Sequence, residues 1–343
     1  VGPVLAAVLG FMLVAEATRP HVPLPDDVEV EARLEQLSRD ATGYDVVVIG
    51  ASTVMRAFDP AVFDAEVGAR GFPLRSFNLG VPGAFQLEVD HLIEELLARA
   101  RVKPRWILVE LPTRRLDKLL PPVNLFTDRA VYWHTPRETL AWFRAAARSA
   151  RTGEAPHRGL DVLRHAAWRW ASLGQGDRIA VRALGIGEAA REAHVAEAAR
   201  TRGFRPFPVG PDAPQSDLRD EFLASPEWYR GVVARVDAVN GGPPPRRVLD
   251  PAWLASQEAH ARAQGAEIVY ITTPTILHTA EIHALHRAGA IPVLLAFDSP
   301  SRDPDLYEAE NRFDAIHLNE VGARLFSRRL GDRFAGWLKK QRS

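Results

Sequence analysis

Ser52, His317 and Asp314 are residue types that together can run acyl transfer, and their settings in the chain suggest how. Ser52 lies in the stretch Tyr44 to Arg56, YDVVVIGASTVMR, two positions after the glycine that ends an apolar run. Val46, Val47, Val48 and Ile49 lack the two-residue alternation of a half-exposed strand. The run is therefore predicted as a strand covered on both faces, as in a parallel sheet flanked by helices. Gly50 lets the backbone turn, and in such sheets ligands bind beyond the carboxyl ends of the strands, where Ser52 would sit. Near the other end of the chain, Asp314-Ala315-Ile316-His317 puts an acid and an imidazole three residues apart. That spacing allows Asp314 to hold the Nδ1 proton of His317, leaving Nε2 to take the Ser52 proton during attack on a carbonyl. Each piece taken singly has a plainer reading, since a serine after a strand often caps a helix and D-x-x-H recurs by chance.

Together these segments resemble a family. Gly50-Ala51-Ser52 resembles block I of the SGNH (GDSL-like) hydrolases, Asn78-Leu79-Gly80-Val81-Pro82-Gly83 resembles the glycine-bearing block II, and Asp314 to His317 resembles the D-x-x-H block V. The resemblance covers residues 44–112 and 266–338. It implies an α/β fold, a flavodoxin-like three-layer α/β/α sandwich with a parallel sheet, and ester-type acyl chemistry with Ser52 as nucleophile, His317 as base and Asp314 as its orienting acid. Two departures stand out. Ala51 replaces the acid usual in block I, and Trp106 to Arg114 lacks the asparagine with which block III helps to bind the oxyanion. The oxyanion would then rest on the backbone N–H groups of Ser52 and Gly80, with Asn78, Thr113 or Arg114 as candidate third donors. Losing one donor costs about 100- to 1,000-fold in rate. The pattern resembles a membrane-tethered branch of the family, which includes the teichoic-acid D-alanyl transfer protein and proteins of exopolysaccharide O-acetylation.

Composition narrows the function classes. The chain has 343 residues, 46% of them hydrophobic, enough for a large core in one elaborated domain or two. Its 43 basic and 43 acidic residues balance, so no global field favours nucleic acid, and no nucleic-acid partner is expected. Without cysteine there is neither a disulfide framework nor a thiolate site. The NLGVPG run does not satisfy G-x-G-x-x-G, so a dinucleotide cofactor is rejected, and no cofactor is expected. His278, His283 and His286 read as solvated surface groups with no suitably paired acid, and no metal is expected. Arg56, one helical turn past Ser52, either meets an anionic substrate group or lies salt-bridged on the surface.

The positioning elements follow in order. Residues 1–18 begin with the apolar VGPVLAAVLGFMLVA, which reads as a truncated signal-anchor or as an export signal cleaved near Ala15-Glu16-Ala17, with a helix packed on the protein's own surface as the alternative. Residues 19–43 form a proline-rich tether and a short polar helix from Glu29 to Asp40, with the core starting after it. Residues 44–114 and 251–343 make the α/β core. Its strands are expected at 46–49, 75–79, 105–111, 267–272 and 291–296, with a capped helix after Asp59-Pro60 and a closing amphipathic helix from Glu320 to Leu338. Thr272-Thr273-Pro274-Thr275 are expected to cap the next helix, and Asp298 is a second candidate for orienting His317. Residues 115–250 form a large helical insertion, with helices at 136–150, 160–172, 187–200 and 227–239 and loops at 203–215 and 240–247. Its aromatic clusters, Tyr132-Trp133-His134, Trp142, Trp168-Arg169-Trp170 and Trp228-Tyr229, suit either an ordinary core or sugar stacking.

The expected function is a serine acyl hydrolase or O-acyltransferase, membrane-anchored or secreted, with its site outside the cytoplasm. Its substrate would be an acylated carbohydrate or small ester, its partner a membrane-bound acyltransferase, and its link to the membrane the N-terminus. The alternative is a non-catalytic descendant that binds glycan or lipid, or a scaffold of an envelope acylation system.

Overall fold

The computed structural model describes residues 2–18, 28–111, 184–208, 216–244 and 249–342, with scattered helical residues between 133 and 167. They fall into two compact units, Val1–Ala32 with Arg114–Val195, and Arg33–Thr113 with Ala196–Ser343. The first contains helix α1 (Gly2–Thr18), which exposes Val4, Leu9, Phe11, Leu13 and Val14. Most of the stretch expected as a helix at 136–150 lies outside the described residues, as do Tyr132, His134, Trp142, Trp168, Arg169 and Trp170, whereas in the one expected at 160–172 residues 160 and 162–167 are described and are helical.

The second unit is an α/β fold. Five strands, β1 (Val46–Gly50), β2 (Ser76–Gly80), β3 (Trp106–Glu110), β4 (Glu267–Ile271) and β5 (Leu294–Leu295), form one parallel sheet in the order β2-β1-β3-β4-β5. Every residue of β1, β2 and β3 is buried. Such strands need covering on both faces, and helices provide it. Alternation along the strands sends Val46, Val48, Trp106, Leu108, Val269 and Ile271 to one face. There they meet α3 (Ser52–Ala57), α4 (Pro60–Ala69) and the last helix, which we number below, through Val54, Phe58, Phe63, Val67, Phe326, Leu330 and Phe334. On the other face α5 (Gln86–Arg99) packs on β1. Helix α4 starts as its sequence dictates: Asp59 Oδ1 accepts from the N–H groups of Ala61 (2.9 Å) and Val62 (3.4 Å), and Pro60 follows the cap.

Further along are α6 (Glu188–Thr201), α7 (Ser216–Leu223), α8 (Pro226–Gly241), α9 (Pro251–Ala263), α10 (Ala280–Arg287) and α11 (Glu320–Arg342). Helix α9 packs on β4 and α5, and α11 packs on α3 and α4. Asn319 caps α11 by accepting from the N–H groups of Val321 and Gly322, each at 3.0 Å.

Four features differ from the sequence expectation. The helix expected at Glu29 to Asp40 is present as α2 (Val28–Arg39) but is amphipathic: Leu34 and Leu37 are buried and Arg33 donates to the Gly80 carbonyl, so the core starts before residue 44. Residues 196–244 belong with the α/β unit; Tyr229 Oη donates to the Tyr307 carbonyl (2.9 Å) and Asn240 Nδ2 to the Asp298 carbonyl (3.0 Å). Strand β5 pairs over only two residues, and α7 arises where no helix is expected.

Phe334 is fully buried, with ring contacts to Phe63 (5.6 Å), Trp106 (5.5 Å) and Trp337 (5.4 Å), and so ties α11 to α4 and the sheet. Phe334→Ala should destabilise this unit by about 3–5 kcal/mol, the range for removing a buried aromatic ring, as measured by urea unfolding.

Candidate active site

Ser52 stands at the turn from β1 into α3, half-buried at the carboxyl edge of the sheet. Helix α3 has only six residues, and a short helix leaves its last carbonyls without partners of its own. Asn78 supplies them. Its Nδ2 donates to the carbonyls of Val54 (3.1 Å), Met55 (3.3 Å) and Phe58 (2.8 Å), while Ser327 Oγ donates to that of Ala57 (3.1 Å). Ser52 is thus carried on a helix clamped from β2 and from α11.

His317 comes from the loop before α11. Asp314 Oδ1 accepts from the N–H groups of Ile316 (2.6 Å) and His317 (2.7 Å), which folds D-x-x-H into a tight turn, and Oδ2 meets His317 Nδ1 at 2.8 Å. An ionised carboxylate can only accept, so the Nδ1 proton belongs to His317 and Nε2 presents its lone pair. That atom lies 2.8 Å from Ser52 Oγ. The three residues expected from sequence therefore meet in a continuous relay. Burial opposes the charge on Asp314. The hydrogen bond from His317, the charge of that imidazole and the two N–H groups outweigh burial and hold the carboxyl below its ordinary value. His317 is 17% and Asp314 33% exposed at the side chain, so the relay is partly open to solvent.

A residue not foreseen from sequence fixes this loop. Arg312 is fully buried and donates to the carbonyls of Leu306 (3.0 Å), Pro274 (3.3 Å), Asp314 (3.2 Å) and Ala315 (3.0 Å). A desolvated guanidinium needs such partners, and they can come only from chain wrapped around it. A second unforeseen residue, Phe207, stacks on Phe313 (3.9 Å between centroids, 9° between planes) and turns its edge to His317 at 5.4 Å. Phe207 belongs to a segment docked beside β2 and α3: the Asn78 N–H donates to the Arg202 carbonyl at 2.9 Å. At Gly203 (φ +79°) a Cβ would lie 2.0 Å from the Asn78 carbonyl oxygen.

The expected oxyanion donors need correction. The Gly80 N–H is taken by Asn78 Oδ1 at 2.9 Å, and Asn78 Nδ2 is taken by the α3 carbonyls, so neither is free for a ligand. Thr113 and Arg114 lie outside the described residues. The second glycine of the same run, Gly83, sits at φ +63° in the turn leaving β2, and among the described residues its N–H has no partner. The Ser52 N–H, at the first position of α3, is likewise unpartnered among them.

Arg56 stacks its guanidinium over Phe207 (4.0 Å) and donates to the carbonyls of Arg205 (3.0 Å) and Pro206 (3.4 Å). It is half-buried, its Nε has no partner, and no carboxylate among the described residues pairs with it. Asp298 is not the orienting acid: buried, it meets His283 Nε2 (2.7 Å) and Thr272 Oγ1 (2.9 Å) and accepts from Thr279 Oγ1. His283 is accordingly paired with an acid and not simply solvated. Of the threonines expected to cap a helix, Thr272 donates to Asp298 and accepts from the Phe297 N–H (2.9 Å), Thr273 donates to Glu110, and Thr275 accepts from the N–H of Leu277 (3.1 Å).

Glu110, the last residue of β3, lies behind the turn that carries Ser52. Its Oε2 accepts from the Ala51 N–H (3.1 Å) and Thr53 Oγ1 (2.6 Å), and Oε1 accepts from Thr273 Oγ1. Burial pushes this carboxyl up, and the hydrogen bonds from Thr273, Thr53 and Ala51 offset that only in part.

No protein-family model matches the chain. No curated protein matches it either.

An acid whose value is raised on folding binds its proton more tightly in the native state, so its contribution to stability is complete below the unfolded value and declines as pH rises above it. Glu110→Gln, which keeps the neutral shape, should therefore gain stability relative to wild type as pH goes from 4 to 8. Parallel urea titrations across that range measure the difference; a constant gap would count against a raised Glu110.

Proposed function

We propose that this chain is an SGNH-like serine acyl hydrolase or O-acyltransferase. The observation that carries the reading is the relay Ser52 Oγ, His317 Nε2, His317 Nδ1, Asp314 Oδ2, with both contacts at 2.8 Å at the carboxyl edge of a parallel sheet. His317 Nε2 takes the Ser52 proton as Oγ attacks the ester carbonyl. The free N–H groups of Ser52 and Gly83 are the candidate donors to the oxyanion, which replaces Gly80 and Asn78 in that role. The imidazolium, steadied by Asp314, then returns its proton to the leaving alcohol as the ester C–O bond breaks, and an acyl-Ser52 remains. Water or a sugar hydroxyl gives its proton to His317, attacks the acyl carbon and regenerates Ser52.

Arg56 supports a substrate that carries an anionic group near the scissile ester. Its guanidinium is half-buried, stacks on Phe207, which itself borders His317, and pairs with no carboxylate among the described residues. This fits an acylated, acidic glycan better than a neutral small ester. The exposed apolar side chains of α1 support an N-terminal membrane tether; a site outside the cytoplasm and a membrane-bound acyltransferase as partner complete the proposal. Helix α1 is about 25 Å long at ~1.5 Å per residue. No helix among the described residues is long and apolar enough to cross a membrane.

A non-catalytic glycan- or lipid-binding reading is favoured by one observation, the commitment of the Gly80 N–H and the Asn78 amide elsewhere. Covalent labelling with a fluorophosphonate separates the two. Wild type should label, and Ser52→Ala and His317→Ala should not; a folded wild type that stays unlabelled selects the binding reading. Arg56→Ala should raise KM for an ester bearing a carboxylate by about 10-fold, the size of one charge-assisted contact, with little change for p-nitrophenyl acetate, as measured by steady-state kinetics.

A further inference from the structure

Ser52 is flanked on both sides by groups that the same carboxyl holds. Glu110 takes the N–H of Ala51 and the hydroxyl of Thr53 on one oxygen, and the hydroxyl of Thr273, just past β4, on the other. Ser52 itself makes no bond to it, and its Oγ is left to His317. Gly50 leaves room for both this carboxyl and Val54: a Cβ there would run into Val54 Cγ2 and would lie 2.7 Å from Glu110 Oε2 and 2.8 Å from Glu110 Cβ.

Packing alone gives no reason for an acid here. The site is 7% exposed, and a carboxyl placed there meets a desolvation cost that an apolar side chain would avoid. Two of the hydrogen bonds end on the turn that carries Ser52 and the third on Thr273, just past β4. Resting on the reading of Ser52 as a nucleophile, we propose that Glu110 is a positioning residue: through Ala51 and Thr53 it fixes the turn so that Ser52 Oγ is aligned with His317 and the Ser52 N–H stays free for the acyl oxygen. Its effect falls on the rate of attack rather than on the binding of substrate.

Without the carboxyl, the Ala51 N–H and two hydroxyls lose their acceptor beside the nucleophile, and the turn relaxes to satisfy them. Misplacing a reacting group by an ångström costs about 100-fold in rate. The full chain is compared with Glu110→Gln, Glu110→Ala, Thr53→Val and Gly50→Ala at pH 7, by fluorophosphonate labelling rate and by kcat and KM on p-nitrophenyl acetate, with circular dichroism to score folding. Glu110→Ala should lower kcat and labelling by about 10- to 100-fold, with KM within about twofold of wild type. Glu110→Gln offers an acceptor to Ala51 and Thr53 and a donor to Thr273, and should recover most of the lost kcat. Thr53→Val removes one bond without removing the acid, and Gly50→Ala crowds the carboxyl and Val54 together while leaving both in the chain; both should lower kcat with KM little changed. Thr53→Val carries the test if Glu110→Ala does not fold.

A wild type that labels, beside folded variants that label equally fast, overturns the role of Glu110 and leaves Ser52 standing. Raised KM at unchanged kcat overturns it as well. A wild type that neither labels nor turns over overturns the nucleophile reading and this proposal with it.

Discussion

The 2.8 Å contact between Ser52 Oγ and His317 Nε2 joins residues 265 positions apart, and neither is held in place by its local sequence alone. A six-residue helix such as α3 is too short to be stable by itself. It persists because Asn78 and Ser327 satisfy its carbonyls and because Val54 and Phe58 are buried against the sheet and α11. The His317 loop has no regular structure beyond one antiparallel bridge between Arg312 and Leu318. What shapes it is the Arg312 guanidinium at its centre and the Asn319 amide at its end, which binds the carbonyls of Glu310 (2.6 Å) and Arg312 (3.3 Å).

Three acids at this edge show how environment separates like groups. Asp314 is partly exposed and receives two N–H groups and an imidazole, so it remains an acceptor for His317. For Asp298, burial is outweighed by His283 and the hydroxyls of Thr279 and Thr272, which hold its carboxyl below its ordinary value. Its bonds anchor α8 and α10 to the ends of β4 and β5 through Asn240 and His283. Glu110 is buried among hydroxyls and one N–H, and there burial prevails. The difference lies in the depth of burial and in the imidazole that hydrogen-bonds Asp314 and Asp298 but not Glu110.

The segment after α6 contributes more than loop closure. Gly203 reaches positive φ and lets the chain lie against the Asn78 carbonyl, which brings Phe207 between the Arg56 guanidinium and the Phe313 ring. One side of the His317 imidazole is thereby bordered by an aromatic from far outside the motif-bearing segments.

Continuous apolar runs and a glycine-serine turn determined the parallel sheet and the place of Ser52, because a strand buried on both faces leaves no other periodicity in the sequence. The D-x-x-H spacing likewise determined the Asp314–His317 pair, since a three-residue separation is what an Asx-type turn closes. Only the tertiary structure decided which amides are spent and which are free. Gly80 and Gly83 look equivalent in NLGVPG, yet Asn78 Oδ1 reaches one N–H and not the other. Arg312, Phe207 and Glu110 carry no local signal either, because their roles depend on partners brought together from Ala51 to Ala315. Burial and hydrogen-bond acceptors are properties of the assembled edge of the sheet, and a linear pattern records only the residues that could take part in it.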